Sequence, residues 1–137
     1  MASPLTADTS LIVPSLLSWH TLHAQAAAAL KDVRRIPSHA IVEAYSVLTR
    51  LPPPGPLPPA LALAALLRAF PEEPLSLSTA GYLATVRRLA QANLGGGRVY
   101  DAIIGTTAPE AGIQLLTADR RAIPTYALMG AEYRLVD

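Results

Sequence analysis

Four carboxylates set inside apolar stretches constrain this chain more than any other feature. Only ten acidic residues occur among its 137, and six of them sit where water readily receives them. Glu72 and Glu73 lie between prolines, Glu110 follows Pro109 in a loop-like Pro-Glu-Ala-Gly, and Glu132 and Asp137 lie near the C-terminus. Asp32, in Lys-Asp-Val-Arg-Arg, suits surface ion pairing. The other four differ. Asp8 follows Leu-Thr-Ala, Glu43 lies in Ala-Ile-Val-Glu-Ala-Tyr, Asp101 in Val-Tyr-Asp-Ala-Ile-Ile, and Asp119 follows Leu-Leu-Thr-Ala. An ionised carboxylate in such surroundings is costly unless something compensates it.

Short extended segments alternate with helical ones. Leu5-Thr6-Ala7 reads as a strand, and Asp8-Thr9-Ser10 can cap a helix carrying Leu11, Ile12, Leu16 and Trp19 at helical spacing. Pro14 is tolerable near that helix's start. A helix is expected over about 21–31 and a strand over 34–37. Ser38 then caps a helix over 39–50 that buries Ile41, Val42, Tyr45, Val47 and Leu48. The proline run 51–59 breaks it, as a stiff connection too brief to divide domains, and a helix resumes near Ala60. Residues 75–78 alternate like a strand, Thr79 caps a helix over 80–92, and Asn93-Leu94-Gly95-Gly96-Gly97 ends it. A helix over 98–107, a strand over 113–116, a short helix and a last strand over 133–136 complete the chain. About five short strands alternating with helices argue for an α/β fold, a parallel sheet covered on both faces, in one domain over 1–137.

In such sheets ligands sit beyond the carboxyl ends of the strands. Asp8 and Asp119 fall at those ends, and Glu43 and Asp101 in the first turns of helices, so all four can converge on one rim. With no cysteine and no His–carboxylate cluster, four carboxylates select a hard cation, Mg²⁺ or Mn²⁺. Such ions activate water and stabilise the oxyanions of in-line phosphodiester displacement. Each acid also has a plainer role. Asp8 and Asp119 can be helix caps, and Asp101 can sit favourably in a helix first turn. Glu43 has no evident partner, because Arg50 lies two turns on.

The lack of cysteine excludes disulfides, thiolate zinc sites and cysteine nucleophiles, and suits a reducing cytoplasm. The N-terminal Met-Ala-Ser-Pro-Leu-Thr-Ala lacks the basic start and apolar core of a signal peptide, and no apolar run approaches the roughly 18 residues that span a bilayer. A soluble, cytoplasmic protein is expected. The formal charge is +1, so four acids in one site would leave +5 on the rest, a split that suits phosphate binding around an acidic pocket. All cations but Lys31 are arginine, which grips phosphate bidentately, although a GC-rich coding bias is the better explanation of that count alone.

At this point the chain resembles the PIN-domain ribonucleases, and more closely their VapC toxins. The segments Thr-Ala-Asp8-Thr-Ser, His39-Ala-Ile-Val-Glu43-Ala-Tyr, Val99-Tyr-Asp101-Ala-Ile-Ile and Leu116-Thr-Ala-Asp119 carry the resemblance, in order and over nearly the whole chain. It implies a PIN-like fold and an Mg²⁺- or Mn²⁺-dependent endoribonuclease, with Asp8, Glu43, Asp101 and Asp119 as metal ligands. Thr117 would hydrogen-bond an acid or the attacking water, or cap locally. It further implies structured RNA such as tRNA or ribosomal RNA as substrate, a VapB-type antitoxin that covers the pocket with a basic side chain, and a homodimer built through helices.

Other residues carry weaker signals. Thr9 and Ser10 are expected to cap rather than to orient Asp8. His20, His23 and His39 are expected in surface or packing roles. Arg98, Arg120 and Arg121 lie near the acids in sequence and suit either phosphate contact or plain charge balance. The triple glycine matches neither a P-loop nor a dinucleotide fingerprint. One Trp, one Phe and five Tyr speak against a base-stacking platform, which leaves RNA recognition to shape and backbone. A phosphoacceptor α/β domain would need a lysine at a late strand end, and Lys31 is misplaced for it. A non-catalytic RNA- or protein-binding module remains the other alternative.

Overall fold

The best-patterned apolar segments form the sheet. In the computed structural model, which describes residues 4–137, β1 (Leu5–Ala7), β2 (Gln114–Thr117) and β3 (Tyr133–Leu135) run parallel in the order β1-β2-β3. The first three residues of the expected domain lie outside that range. Ala7 pairs with Leu116, and Thr117 with Leu135. Successive strand residues point to opposite faces, yet Leu115 and Leu116 are both fully buried, so both faces of the sheet are covered.

Among the described residues three strands form rather than about five. Segments 34–37 and 75–78 meet only in an isolated parallel bridge between Pro37 and Leu75. Leu75 N–H donates to Ile36 O and Ser38 N–H to Leu75 O, and then both segments turn into helices. Pro37 has no N–H with which to extend a ladder.

Among the described residues seven helices surround the sheet: α1 (Thr9–Leu16), α2 (His23–Ala29), α3 (Ser38–Leu48), α4 (Pro59–Ala69), α5 (Thr79–Gln91), α6 (Arg98–Ala111) and α7 (Ile123–Leu128). Helix α1 stops at Leu16, which leaves Trp19 in a turn and 54% exposed instead of on the expected buried stripe. Helix α3 buries Ala40, Ala44 and Leu48, whereas Val42 and Tyr45, expected inside, are exposed. Its apolar residues run nearly all round, and the narrow alanine face is the one that packs closest. Fully buried Ala7, Ala26, Ala40, Ala44, Ala62 and Ala108 repeat that pattern through the core.

The helix starts also differ from expectation. Ser38 makes no cap, and its hydroxyl pairs instead with that of Ser76 at 2.9 Å. Ser78, not Thr79, caps α5 by accepting from Gly81 N–H. Glu110 does not lie in a solvated loop. Helix α6 runs on past Pro109 to Gly112, whose φ of 70° ends it, and Glu110 accepts from Ser78 N–H and Oγ at 2.8 and 2.9 Å. That contact ties the end of α6 to the start of α5. A Cβ at Gly81 would collide with the Glu110 carboxylate, which explains the glycine there. Arg34 pairs with Glu72 at 3.0 Å rather than with Asp32. No described helix is long and apolar enough to cross a membrane.

Candidate active site

The carboxyl ends of β1 and β2 lie side by side, and Asp8 stands where they meet. Its N–H donates to Leu116 O at 3.1 Å, and its side chain caps α1 by accepting from Ser10 N–H. The carboxylate is 3% exposed and receives three hydroxyls: Ser10 Oγ on Oδ1 at 2.5 Å, and Thr117 Oγ1 and Tyr126 Oη on Oδ2 at 2.5 and 2.6 Å. Burial pushes the Asp8 carboxyl above the usual range, against the pull of these donors. Burial also lifts the Tyr126 phenol far above its ordinary value, helped by the charges of Asp8, Asp101 and Asp119, so Tyr126 stays a donor.

Asp119 begins the loop after β2. Its N–H donates to Thr117 Oγ1 at 3.0 Å, and its Oδ1 accepts from Arg121 N–H at the same distance. Thr117 thus both caps locally and holds Asp8. Asp101 lies in the first turn of α6, half-buried. Its carboxyl is pushed up to about 6, first by burial, then by the charges of Asp119, Glu43 and Asp8. The structure therefore brings Asp8, Glu43 and Asp119 within electrostatic reach of Asp101. Glu43, mid-α3, accepts from Thr9 Oγ1 at 3.3 Å, and its Oε1 lies 3.7 Å from His39 Nε2.

The all-oxygen donor set and the mutual repulsion at Asp101 fit a hard divalent ion. Among the described residues, though, no three His, Asp or Glu side chains form a ready ligand cage.

A family model described as "PIN domain" matches residues 6–127. The chain belongs to the PIN-domain family. Within it the chain is similar to the VapC ribonucleases. It is 41% identical to Ribonuclease VapC40 of Mycobacterium tuberculosis over 129 residues, covering 94% of this chain and 96% of the relative. It is also 41% identical to Ribonuclease VapC27 of the same species over 132 residues, 95% of each chain. In fold it resembles the crystal structure of Mycobacterium tuberculosis VapC20, a sarcin-ricin loop cleaving toxin. There the TM-score is 0.68 at 16% identity, over 88% of this chain and 93% of that one. PAE2754 from Pyrobaculum aerophilum superimposes with a TM-score of 0.62 at 20% identity, over 97% and 92% of the two chains.

In this PIN domain one residue at the inner acid carries no sequence signal, since Tyr126 lies 118 positions from Asp8 and nothing local joins them. Ser10, expected to cap rather than to orient Asp8, does orient it, and also accepts from Ala118 N–H at 2.8 Å, so it bolts α1 to the end of β2. Of the nearby arginines, Arg120 pairs with Asp137 at 2.9 Å. Arg121 Nε lies 3.9 Å from Asp119, with its side chain 96% exposed. His20 and His23 are structural: His20 Nδ1 accepts from Leu22 N–H, and His23 Nδ1 meets Pro14 O at 2.9 Å. His39 has the packing role, half-buried and stacked on Tyr100, with its Nε2 buried without a hydrogen-bond partner beside Glu43.

Proposed function

We propose that this chain is the toxin of a VapBC-type pair, a single-domain endoribonuclease over 1–137 that hydrolyses RNA phosphodiester bonds with Mg²⁺ or Mn²⁺. The observation that carries the reading is the convergence of Asp8, Glu43 and Asp119 on Asp101, whose carboxyl their charges help push up to about 6. The likeness to VapC40 and VapC27 over nearly the full chain agrees with it.

Asp8, Glu43, Asp101 and Asp119 would hold the ion. A divalent cation supplies Lewis-acid activation of water and neutralisation of charge on phosphoryl oxygens. The chain's own part is positional. Ser10, Thr117 and Tyr126 fix Asp8 so that one acid of the four is set in advance. The exposed Arg121 guanidinium beside Asp119 is placed to meet a phosphate as it approaches the acids. Four negative charges in the pocket leave +5 on the rest of the chain, a surface on which RNA settles. A VapB-type antitoxin with a basic side chain complements the same pocket. Val42, Leu61, Leu63 and Leu67, all exposed on α3 and α4, supply apolar surface for a homodimer or that partner. The site of action is the cytoplasm.

The test is cleavage of tRNA and ribosomal RNA by antitoxin-free protein with Mn²⁺ or Mg²⁺, with an EDTA control, beside Asp101→Asn. Metal-dependent cleavage abolished by the substitution in a folded protein supports both function and site. Equal cleavage by both proteins sinks the site, and no cleavage of any RNA sinks the enzyme.

A further inference from the structure

Beside the acids runs a groove of about 310 Å³ whose wall includes Thr9, Val42, Ser46, Val47 and Arg50. At its head Tyr100 and His39 stack, ring centroids 5.6 Å apart and planes within 4°. Both rings line this groove together with Glu43, and His39 stands one helical turn before Glu43 on the same face of α3. Tyr100 is 55% exposed although it is aromatic and sits in a rigid helix. His39 Nε2 has no hydrogen-bond partner, so the stack is what orients that ring. One face of Tyr100 is thus backed by the imidazole while the ring stays open to solvent.

We propose that the Tyr100–His39 pair is a shelf on which one unpaired nucleobase stacks, so that the phosphate next to that base is delivered to the acids. This rests on the ribonuclease reading and narrows its substrate to RNA with an unstacked nucleotide at the cleavage site. A flat ring backed by a second flat ring suits any base, because every base has a π-face, and it adds little sequence preference. Arg50, lining the same groove, supplies a cation for the flanking phosphate. Few aromatics are needed, since one shelf at the scissile step is enough to hold the strand in register.

The test uses the full chain in EDTA and a short single-stranded oligouridylate carrying one 2-aminopurine, whose fluorescence is quenched on stacking. Wild type and Tyr100→Phe are expected to quench it, while Tyr100→Ala does not and binds about tenfold more weakly. With metal present, an abasic nucleotide beside the scissile phosphate of a cleaved RNA lowers wild-type cleavage about tenfold and adds no loss to Tyr100→Ala. Quenching and binding by Tyr100→Ala like those of wild type would overturn the shelf while leaving the nuclease standing. So would a variant that loses capture of a protein partner but keeps RNA binding, which would assign the ring to protein docking. If wild type cleaves no RNA, the nuclease reading fails, and the metal-free quench still decides whether the shelf exists.

Discussion

The acidic site has two halves that the same chain builds in opposite ways. The inner half, Asp8 with Ser10, Thr117 and Tyr126, is buried, and each carboxylate oxygen carries at least one hydroxyl donor. The outer half, Glu43, Asp101 and Asp119, is partly exposed. Glu43 keeps only a long bond from Thr9 and a distant imidazole. The inner acid belongs to the fold, since it caps a helix and joins two strand ends. The outer acids have fewer partners, Asp119 keeping one bond from Arg121 N–H, and their charges raise the Asp101 carboxyl. On the proposed reading, one ligand is set in advance and the other three are left to adapt.

Substitutions separate the halves. Asp8→Ala removes the cap of α1 and leaves the Ser10, Thr117 and Tyr126 hydroxyls without their acceptor. A loss of about 3 kcal/mol is expected, read as a lower urea midpoint, together with loss of cleavage. If the urea midpoint holds, Asp8 is not structural and the contrast collapses. Thr117→Val deletes the bond to Asp8 and the acceptor for Asp119 N–H, and about 2 kcal/mol should go in the same assay. Tyr126→Phe deletes a single bond, with about 1.5 kcal/mol lost and cleavage down about tenfold because Asp8 loses one of its three hydroxyl supports. Unchanged cleavage by Tyr126→Phe would mean that Asp8 needs no such support.

The two halves were unequally legible in the sequence. Strands β1 and β2 are apolar, short and followed at once by Asp8 and Asp119, so the inner floor of the site follows from local pattern and the strand-end rule. Tyr126 does not, because its place beside Asp8 comes from packing between elements at opposite ends of the chain. On α3 the residues Ile41, Val42, Ala44, Tyr45, Val47 and Leu48 cover most of the helix circumference. Periodicity alone could not choose the face, and the close-packing alanines chose it. Segments 34–37 and 75–78 look like strands by composition, but a proline at the end of one and helix starts just beyond both leave a bridge too short to count as a strand. The stacking of His39 on Tyr100 has no local signal, because the two rings come from distant parts of the chain.

The outer half makes the finest prediction, since it should be a source of instability. In the folded protein the Asp101 carboxyl is pushed up to about 6, above its ordinary 3.8. Between those values the folded state holds a proton that the unfolded chain has released. Stability is therefore greatest where Asp101 is protonated in both states, falls as pH rises from about 4 to 6, and stays reduced above that. Asp101→Asn removes the charge and its share of the fall, while the raised Asp8 carboxyl keeps its own share in both proteins. In metal-free buffer at pH 7.5 the variant should be more stable than wild type by about 1 kcal/mol, once solvent screening of a half-exposed carboxyl is allowed for. At pH 4 the two should coincide. Adding Mn²⁺ at neutral pH should close the gap from the other side, by stabilising wild type and leaving the variant nearly unmoved. Paired urea titrations at the two pH values, with and without the ion, measure all of this. A variant less stable than wild type at pH 7.5 would place Asp101 with Asp8, as an acid that the fold depends on, and the division between the halves would be lost.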